Sequence, residues 1–358
     1  MQHENPSASP LSHLLSPRAL VTGVLGAAAL WGCGTDTASN PDAQVVPADA
    51  AETDTSGTSD THTPPEDVLV PGDTTQTDAA AADSTATSLP SVLSAAEGRT
   101  ASVFYPADLD PNGGPYPLAL LLHGYGASAA IQDAYLNVST VATARGWIVV
   151  IPEGNTDSTG KKFWNAGPAW CCDFDNSGID DTKYLSDLIA KAKADLPIDG
   201  ERVFVIGHSN GAYMAHRMAC ADAEQLSGIV AIAGGLPNAV NACAPSRPVA
   251  LLQIHGTIDA TVFYNGNAGV YPGSEEVADR WSSYNGCSTD PAVTTTGVKD
   301  IDRNALGAET DTEIHVGCPA SAPVELWKMN GSGHIPNFNE TFMPSVFDAI
   351  EAVPSASE

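Results

Sequence analysis

A serine between two glycines, in Gly207-His208-Ser209-Asn210-Gly211, is where covalent chemistry is most readily located in this sequence. A serine hydroxyl is a weak nucleophile at neutral pH, so it needs a base to take its proton and an acid to orient that base. Two downstream residues answer that need in order. Asp259 lies in Gly256-Thr257-Ile258-Asp259, and His334 in Asn330-Gly331-Ser332-Gly333-His334. Each follows an apolar run, so each is expected at the C-terminal end of a strand, on the same sheet edge as Ser209. Together they could perform acyl transfer, with Ser209 as nucleophile, His334 as general base and Asp259 as its orienting acid. The tetrahedral intermediate of that reaction carries an oxyanion, which needs prearranged N–H donors. The backbone amide of Asn210 is the first expected donor. The amide of Tyr125, in the glycine-rich His123-Gly124-Tyr125-Gly126, is the second.

Other titratable residues have blander readings. His123 and His255 precede glycines at strand ends and are expected to hold loops by hydrogen bonding, while His216 reads as a satisfied helix histidine. His315 falls in an alternating stretch and reads as a strand residue; Asp302 has no strand signal immediately before it. The run Asp173 to Asp181 has oxygen ligands at alternate positions, like the start of a calcium loop, but Tyr184 stands where a bidentate Glu is required. Asp180 and Asp181 read instead as helix caps, and no metal site is expected.

The elements that must position the triad are legible as alternating strand and helix signals. Continuous apolar runs over Leu118 to Leu122, Trp147 to Ile151, Val203 to Ile206, Ile229 to Ala233, Val249 to Ile254 and Val324 to Met329 predict strands, mostly buried on both faces. Arg99 to Tyr105 alternates like an edge strand. Asp181 to Asp195, Ala212 to Cys220, Glu275 to Tyr284 and Glu340 to Ala352 have helical spacing. Such alternation predicts an α/β domain, a mainly parallel central sheet with helices on both faces.

The chain has 358 residues and a formal net charge of -28, from 43 acidic against 15 basic residues. That balance excludes nucleic acid as a partner. Part of it belongs to a tail, since the stretch from Gly34 to Pro90 holds eleven Asp or Glu and no Lys or Arg. Residues 34–95, rich in Thr, Asp, Ala, Ser and Pro, cannot bury enough apolar area to offset their ordering entropy and are expected to form a disordered tether. Residues 1–33 read as an export signal, its apolar stretch from Ala19 to Trp31 being shorter than the roughly twenty residues a membrane span needs. The ending Leu30-Trp31-Gly32-Cys33 resembles a bacterial lipobox, which would make Cys33 a lipidated N-terminus; an ordinary signal peptide is the alternative. The catalytic domain is then expected over residues 96–358. The six remaining cysteines allow fifteen pairings. Cys220 with Cys243 and Cys287 with Cys318 are preferred as near neighbours in sequence, which leaves Cys171 and Cys172 as a vicinal pair.

From about Ala96 onward the chain resembles the polyhydroxybutyrate depolymerase and feruloyl esterase family of α/β-hydrolases. The resemblance rests on His123-Gly124-Tyr125-Gly126, on Trp164-Asn165 with Cys171-Cys172 and Asp180-Asp181, and on Gly207 to Gly211, His255 to Asp259 and Gly331 to His334. It implies the α/β-hydrolase fold, a Ser209, Asp259 and His334 triad, no cofactor, and action on polyester or on aromatic and acetyl esters of cell-wall polysaccharide. Many relatives carry Trp-Pro-Gly after the catalytic His, where this chain has Ile335-Pro336-Asn337-Phe338. The short stretch from Gly235 to Arg247 leaves no room for a cap domain, so the site should be open, suiting polymer-borne or bulky esters. Trp164, Trp170 and Phe263 are candidates for an aromatic contact surface and are equally readable as packing residues. The expectation is an exported ester hydrolase, monomeric and touching a membrane only through its lipid. A non-catalytic surface-binding protein, or an esterase of acetylated polysaccharide, is the alternative.

Overall fold

The computed structural model describes residues 89–95, 98–168 and 170–355. The expected signal peptide, Cys33 and nearly all of the expected tether lie outside them. A ten-stranded sheet runs through the domain in the order β1-β2-β4-β3-β7-β8-β9-β12-β11-β10. Its strands are β1 (Val92–Ser94), β2 (Thr100–Phe104), β3 (Tyr116–Leu122), β4 (Ile148–Pro152), β7 (Ile198–His208), β8 (Gly228–Ile232), β9 (Ala250–Gly256), β10 (Val293–Lys299), β11 (Thr310–Ile314) and β12 (Val324–Met329). A separate two-stranded hairpin pairs β5 (Asn155–Thr156) with β6 (Lys162–Phe163). The helices are α1 (Ala129–Leu136), α2 (Val138–Ala144), α3 (Asp181–Asp195), α4 (Asn210–Ala221), α5 (Ser274–Asn285) and α6 (Phe342–Glu351).

The strands from β4 to β12 in that order are parallel, and both edges of the sheet are antiparallel. Period-two alternation divides each central strand between two cores. Leu118, Leu120 and Leu122 of β3 face a core with Leu185 and Leu188 of α3, Ala212 of α4 and Trp281 of α5. Ala119 and Leu121 face the opposite core, with Leu136 of α1, Val138 of α2 and Phe342, Val346 and Phe347 of α6. The apolar runs of the sequence are continuous because a parallel strand under helices on both faces has no solvent side. This is the α/β-hydrolase architecture, with no cap among the described residues: only a short 3-10 turn, Val240–Ala242, lies between β8 and β9.

Several elements differ from expectation. β1 falls within the stretch assigned to the tether and pairs with β2, so the folded domain starts before residue 96. β7 begins five residues earlier than its apolar run, because Ile198 still pairs with Tyr116 across a register shift. β10 carries polar and apolar residues that are nearly all exposed, so no apolar run marks it. It ends three residues before Asp302, which therefore does follow a strand. His315 lies just beyond β11 rather than within a strand. Both preferred cysteine pairs are disulfides, Cys220–Cys243 and Cys287–Cys318, and the two cysteines they leave over form a third, the vicinal Cys171–Cys172.

Candidate active site

Ser209 lies between the end of β7 and the start of α4, at φ 54° and ψ −119°. That left-handed backbone costs a non-glycine residue about 1–3 kcal/mol, so the surroundings must impose it. They do so by close packing. A Cβ on Gly207 would overlap the Gly211 carbonyl, and one on Gly211 would overlap the carbonyl of Leu122 at the end of β3. The flanking glycines thus let helix and strand close on each other, and the serine side chain is turned out at the strand end. Its own N–H is satisfied by the Ile232 carbonyl at 2.8 Å, which ties the turn to β8.

Asp259 and His334 come from the loops after β9 and β12, and both reach this turn. His334 Nδ1–H donates to Asp259 Oδ2 at 2.7 Å, and Ser209 Oγ–H donates to His334 Nε2 at 3.0 Å. An ionised carboxylate can only accept, so the proton sits on Nδ1 and Nε2 is left free as an acceptor for the hydroxyl. Asp259 is fully buried. Burial pushes its carboxyl up, but hydrogen bonds from His255 and His334, and the charge those rings can carry, outweigh it and hold the group well below the usual carboxylate range. The backbone N–H groups of Thr261 and Val262 add two bonds of 2.8 Å to Oδ1.

The Asn210 N–H opens α4 and so has no acceptor within the helix. Gly124, beside Tyr125, lies against the serine: a Cβ there would sit 3.4 Å from Ser209 Cβ. The loop that carries Tyr125 is held from several sides. His123 Nδ1–H donates to the Gly124 carbonyl at 2.9 Å, while its Nε2 accepts from Gly154 N–H at 2.9 Å. Gly124 N–H donates to Gln132 at 3.0 Å and Gly126 N–H to the Lys162 carbonyl at 2.8 Å. Tyr125 donates its hydroxyl to Asp157 at 2.5 Å, and burial and that bond push the phenol up to about 12. The Asn210 side chain, fully buried, donates to the Trp164 and Cys171 carbonyls and accepts from Trp164 N–H, stapling the loop with the vicinal disulfide to the serine turn. Neither the role of Gln132 nor that of Asp157 is visible in sequence, because each partner is set by loop packing.

The expected aromatic contact surface is not assembled. Trp164 is fully buried, with its indole N–H donating to the His123 carbonyl at 3.0 Å, and Trp170 is buried too. Both belong to the hydrophobic core, and the Trp164 backbone is held by the Asn210 side chain. Phe263 is exposed, as are Ile258 and Ile335, the residues next to Asp259 and His334. In the calcium-like run, Asp173 accepts from Ser177 and Gly178, Asp175 from Ser158, and Asp180 caps α3 through Lys183 N–H. No cluster suited to a metal ion occurs among the described residues. His216 is an interior residue of α4 bonded to Gln253 and Trp281. His208 sits beside His334, donating Nε2–H to its carbonyl at 3.0 Å. Burial and the neighbouring His334 push His208 down to about 4.

Residues 110–271 match the phospholipase/carboxylesterase family of α/β-hydrolases. Feruloyl esterase B of Piromyces equi is 25% identical over 229 residues, covering 61% of this chain and 39% of that protein. The bifunctional acetylxylan esterase/xylanase XynS20E of Neocallimastix patriciarum is 30% identical over 167 residues, 47% of this chain and 22% of that one. The chain thus spans well under half the length of these two curated relatives. Among solved structures, the acetyl xylan esterase from Aspergillus awamori superposes with a TM-score of 0.52 at 15% identity, over 71% of this chain and 94% of that one.

Proposed function

We propose that this chain, a member of the α/β-hydrolase esterase family, is an exported serine carboxylic ester hydrolase acting on esters borne by polysaccharide. The observation that carries the reading is the continuous line of hydrogen bonds from Ser209 through His334 to Asp259 at an uncapped strand end. In this mechanism Ser209 Oγ attacks the ester carbonyl carbon while His334 Nε2 takes the hydroxyl proton. The carbonyl oxygen, now negative, accepts from the N–H groups of Tyr125 and Asn210. Collapse expels the alcohol, which takes the proton from His334, and leaves an acyl group on Ser209. Water, deprotonated by His334, then releases the carboxylic acid and restores the serine. Asp259 stays ionised throughout and steadies the imidazolium.

An aromatic acyl group, of the kind named in the feruloyl esterase relatives, fits better than acetyl. Ile258, Phe263 and Ile335 are 65%, 46% and 68% exposed around the acid and base, and apolar side chains there gain by covering a flat ring. Acetylated polysaccharide is the second reading, favoured by the acetylxylan esterase likeness. Three disulfides agree with an oxidising compartment, and lipidation at Cys33 would hold the enzyme at a membrane. Methyl ferulate, acetylated xylan and polyhydroxybutyrate films assayed in parallel rank the substrates. Ser209→Ala is expected to lower hydrolysis of p-nitrophenyl acetate by about 10³-fold or more and to abolish labelling by a fluorophosphonate probe. Retention of either by the variant would sink the reading.

A further inference from the structure

Asp259 holds two histidines, and the mechanism uses only one. His255, the penultimate residue of β9, is buried, and its Nε2 lies 3.0 Å from Asp259 Oδ2 and 2.8 Å from the Val262 carbonyl. Oδ2 is the oxygen that also accepts from His334. Both partners of His255 Nε2 are acceptors, so this nitrogen carries the hydrogen. Its other nitrogen, Nδ1, lies 2.5 Å from Ser274 Oγ at the start of α5. The Ser274 hydroxyl has no other acceptor among the described residues, so it donates to Nδ1. The ring is thereby fixed as the neutral Nε2–H tautomer, with both nitrogens satisfied.

We infer that His255 is a positioning residue: a fixed N–H donor that aims Asp259 at His334 and sets how strongly the carboxylate holds the imidazolium. The inference rests on the triad proposed above. Four donors, from Thr261, Val262, His255 and His334, occupy the two oxygens of Asp259. Each donor draws off part of the charge that would otherwise stabilise a proton on His334. With His255 gone, Oδ2 serves His334 alone, the imidazolium is held more tightly, and His334 becomes a free base only at higher pH. The carboxylate also loses a lateral restraint, so the orientation of His334 loosens.

The other ionisable groups facing this pair do not give the same effect. His208, from the end of β7, lies tilted against His334 with ring centroids 5.2 Å apart but is held neutral by burial. Tyr264 lies edge-on to His255 at 5.7 Å and donates its hydroxyl to Glu275 rather than to the pair. Asp302, after β10, reaches the His334 loop only through Ser332 and Asn337.

The test compares His255→Phe, His255→Gln and Ser274→Ala with the unaltered chain, reading kcat and KM for p-nitrophenyl acetate from pH 5 to 9. Phe removes the donor, whereas the Gln amide puts an N–H back near the place of Nε2. For His255→Phe the acid limb of kcat/KM is expected to rise by about half a pH unit or more, and kcat to fall about tenfold, with KM within about twofold. His255→Gln should return the limb toward its original place. Ser274→Ala, which frees the ring tautomer, should move it in the direction of the Phe variant and keeps the question open to measurement if that variant does not fold. An unmoved limb in the Phe variant, or in Ser274→Ala where Phe is unfolded, overturns the inference, as does an equal shift in Phe and Gln. Ser209→Ala separates the two levels: an active S209A removes the triad, whereas an inactive S209A with an unmoved limb removes only the role of His255.

Discussion

At the scale of single residues, the base is positioned by a clamp that has no local signature. Asp302 is buried, and it accepts from Ser332 Oγ at 2.7 Å, Asn337 N–H at 3.1 Å and Asn304 N–H at 3.0 Å. Ser332 and Asn337 bracket His334, so one carboxylate fixes both ends of the segment that carries the proposed base. Tyr135 adds a further restraint, donating its hydroxyl to the Pro336 carbonyl at 2.9 Å. Removing a buried acceptor strands its donors, at about 1–3 kcal/mol for each group left unpaired. Asp302→Ala is therefore expected to lose about 3 kcal/mol in urea unfolding and at least tenfold in kcat. Asp302→Asn, which keeps one carbonyl acceptor, should lose less of both. Equal stability of the Ala variant and the unaltered chain would refute the clamp. The signal that could have found Asp302 is its place after β10, but that strand is polar and exposed, and an apolar-run criterion passes over it.

At the scale of elements, a buried polar line fastens α4 and α5 to the sheet. Trp281 Nε1–H donates to His216 Nδ1 at 2.9 Å, and His216 Nε2–H donates to Gln253 Oε1 at 3.1 Å. Gln253 in turn donates to the Gly234 carbonyl at 2.7 Å. Both nitrogens of His216 are committed with the ring neutral, and burial pushes it down to about 4 against the opposing bond to Gln253. His208 is lowered to the same region. A base whose folded pKa lies below its unfolded value of about 6.5 binds its proton first in the unfolded chain. Its stabilisation is thus complete above about pH 6.5 and is lost as pH falls toward 4, by up to about 3 kcal/mol for each histidine. Unfolding free energy measured in urea at pH 7, 5.5 and 4 should fall across that window, and His216→Gln should flatten part of the fall. A pH-independent stability over the window would contradict these assignments. The main α/β elements were legible beforehand because a central strand under two helix layers must be apolar throughout and a surface helix on one face only. The short α1 and α2, the hairpin β5-β6 and the edge strand β10 were not, since their pairing is decided by neighbours distant in sequence, while β11 showed only as the alternating stretch that runs up to His315.

At the scale of the whole molecule, an uncapped strand end with exposed Ile258, Phe263 and Ile335 suits a substrate that is part of something larger than the site. The proposed lipidation of Cys33 is tested separately from the chemistry. Cys33→Ser is expected to shift the protein from the membrane fraction to the soluble one and to abolish incorporation of labelled fatty acid, with hydrolysis of a soluble ester unchanged. Persistence in the membrane fraction would remove the anchor. The sequence by itself determined the parallel sheet, the glycine-flanked Ser209 turn, the order of Asp259 and His334 after their strands, and the even cysteine set. All of these are encoded within a few residues of the position concerned, through strand periodicity, steric need for glycine or the spacing of thiols. Only the tertiary structure decided that Trp164 and Trp170 turn inward, that Asn210 staples their loop, that Asp302 grips the His334 segment and that His255 shares Oδ2 of Asp259. Those contacts, even His255 to Asp259 four residues on, depend on how loops cross at one end of the sheet. Local periodicity carries no record of such crossings.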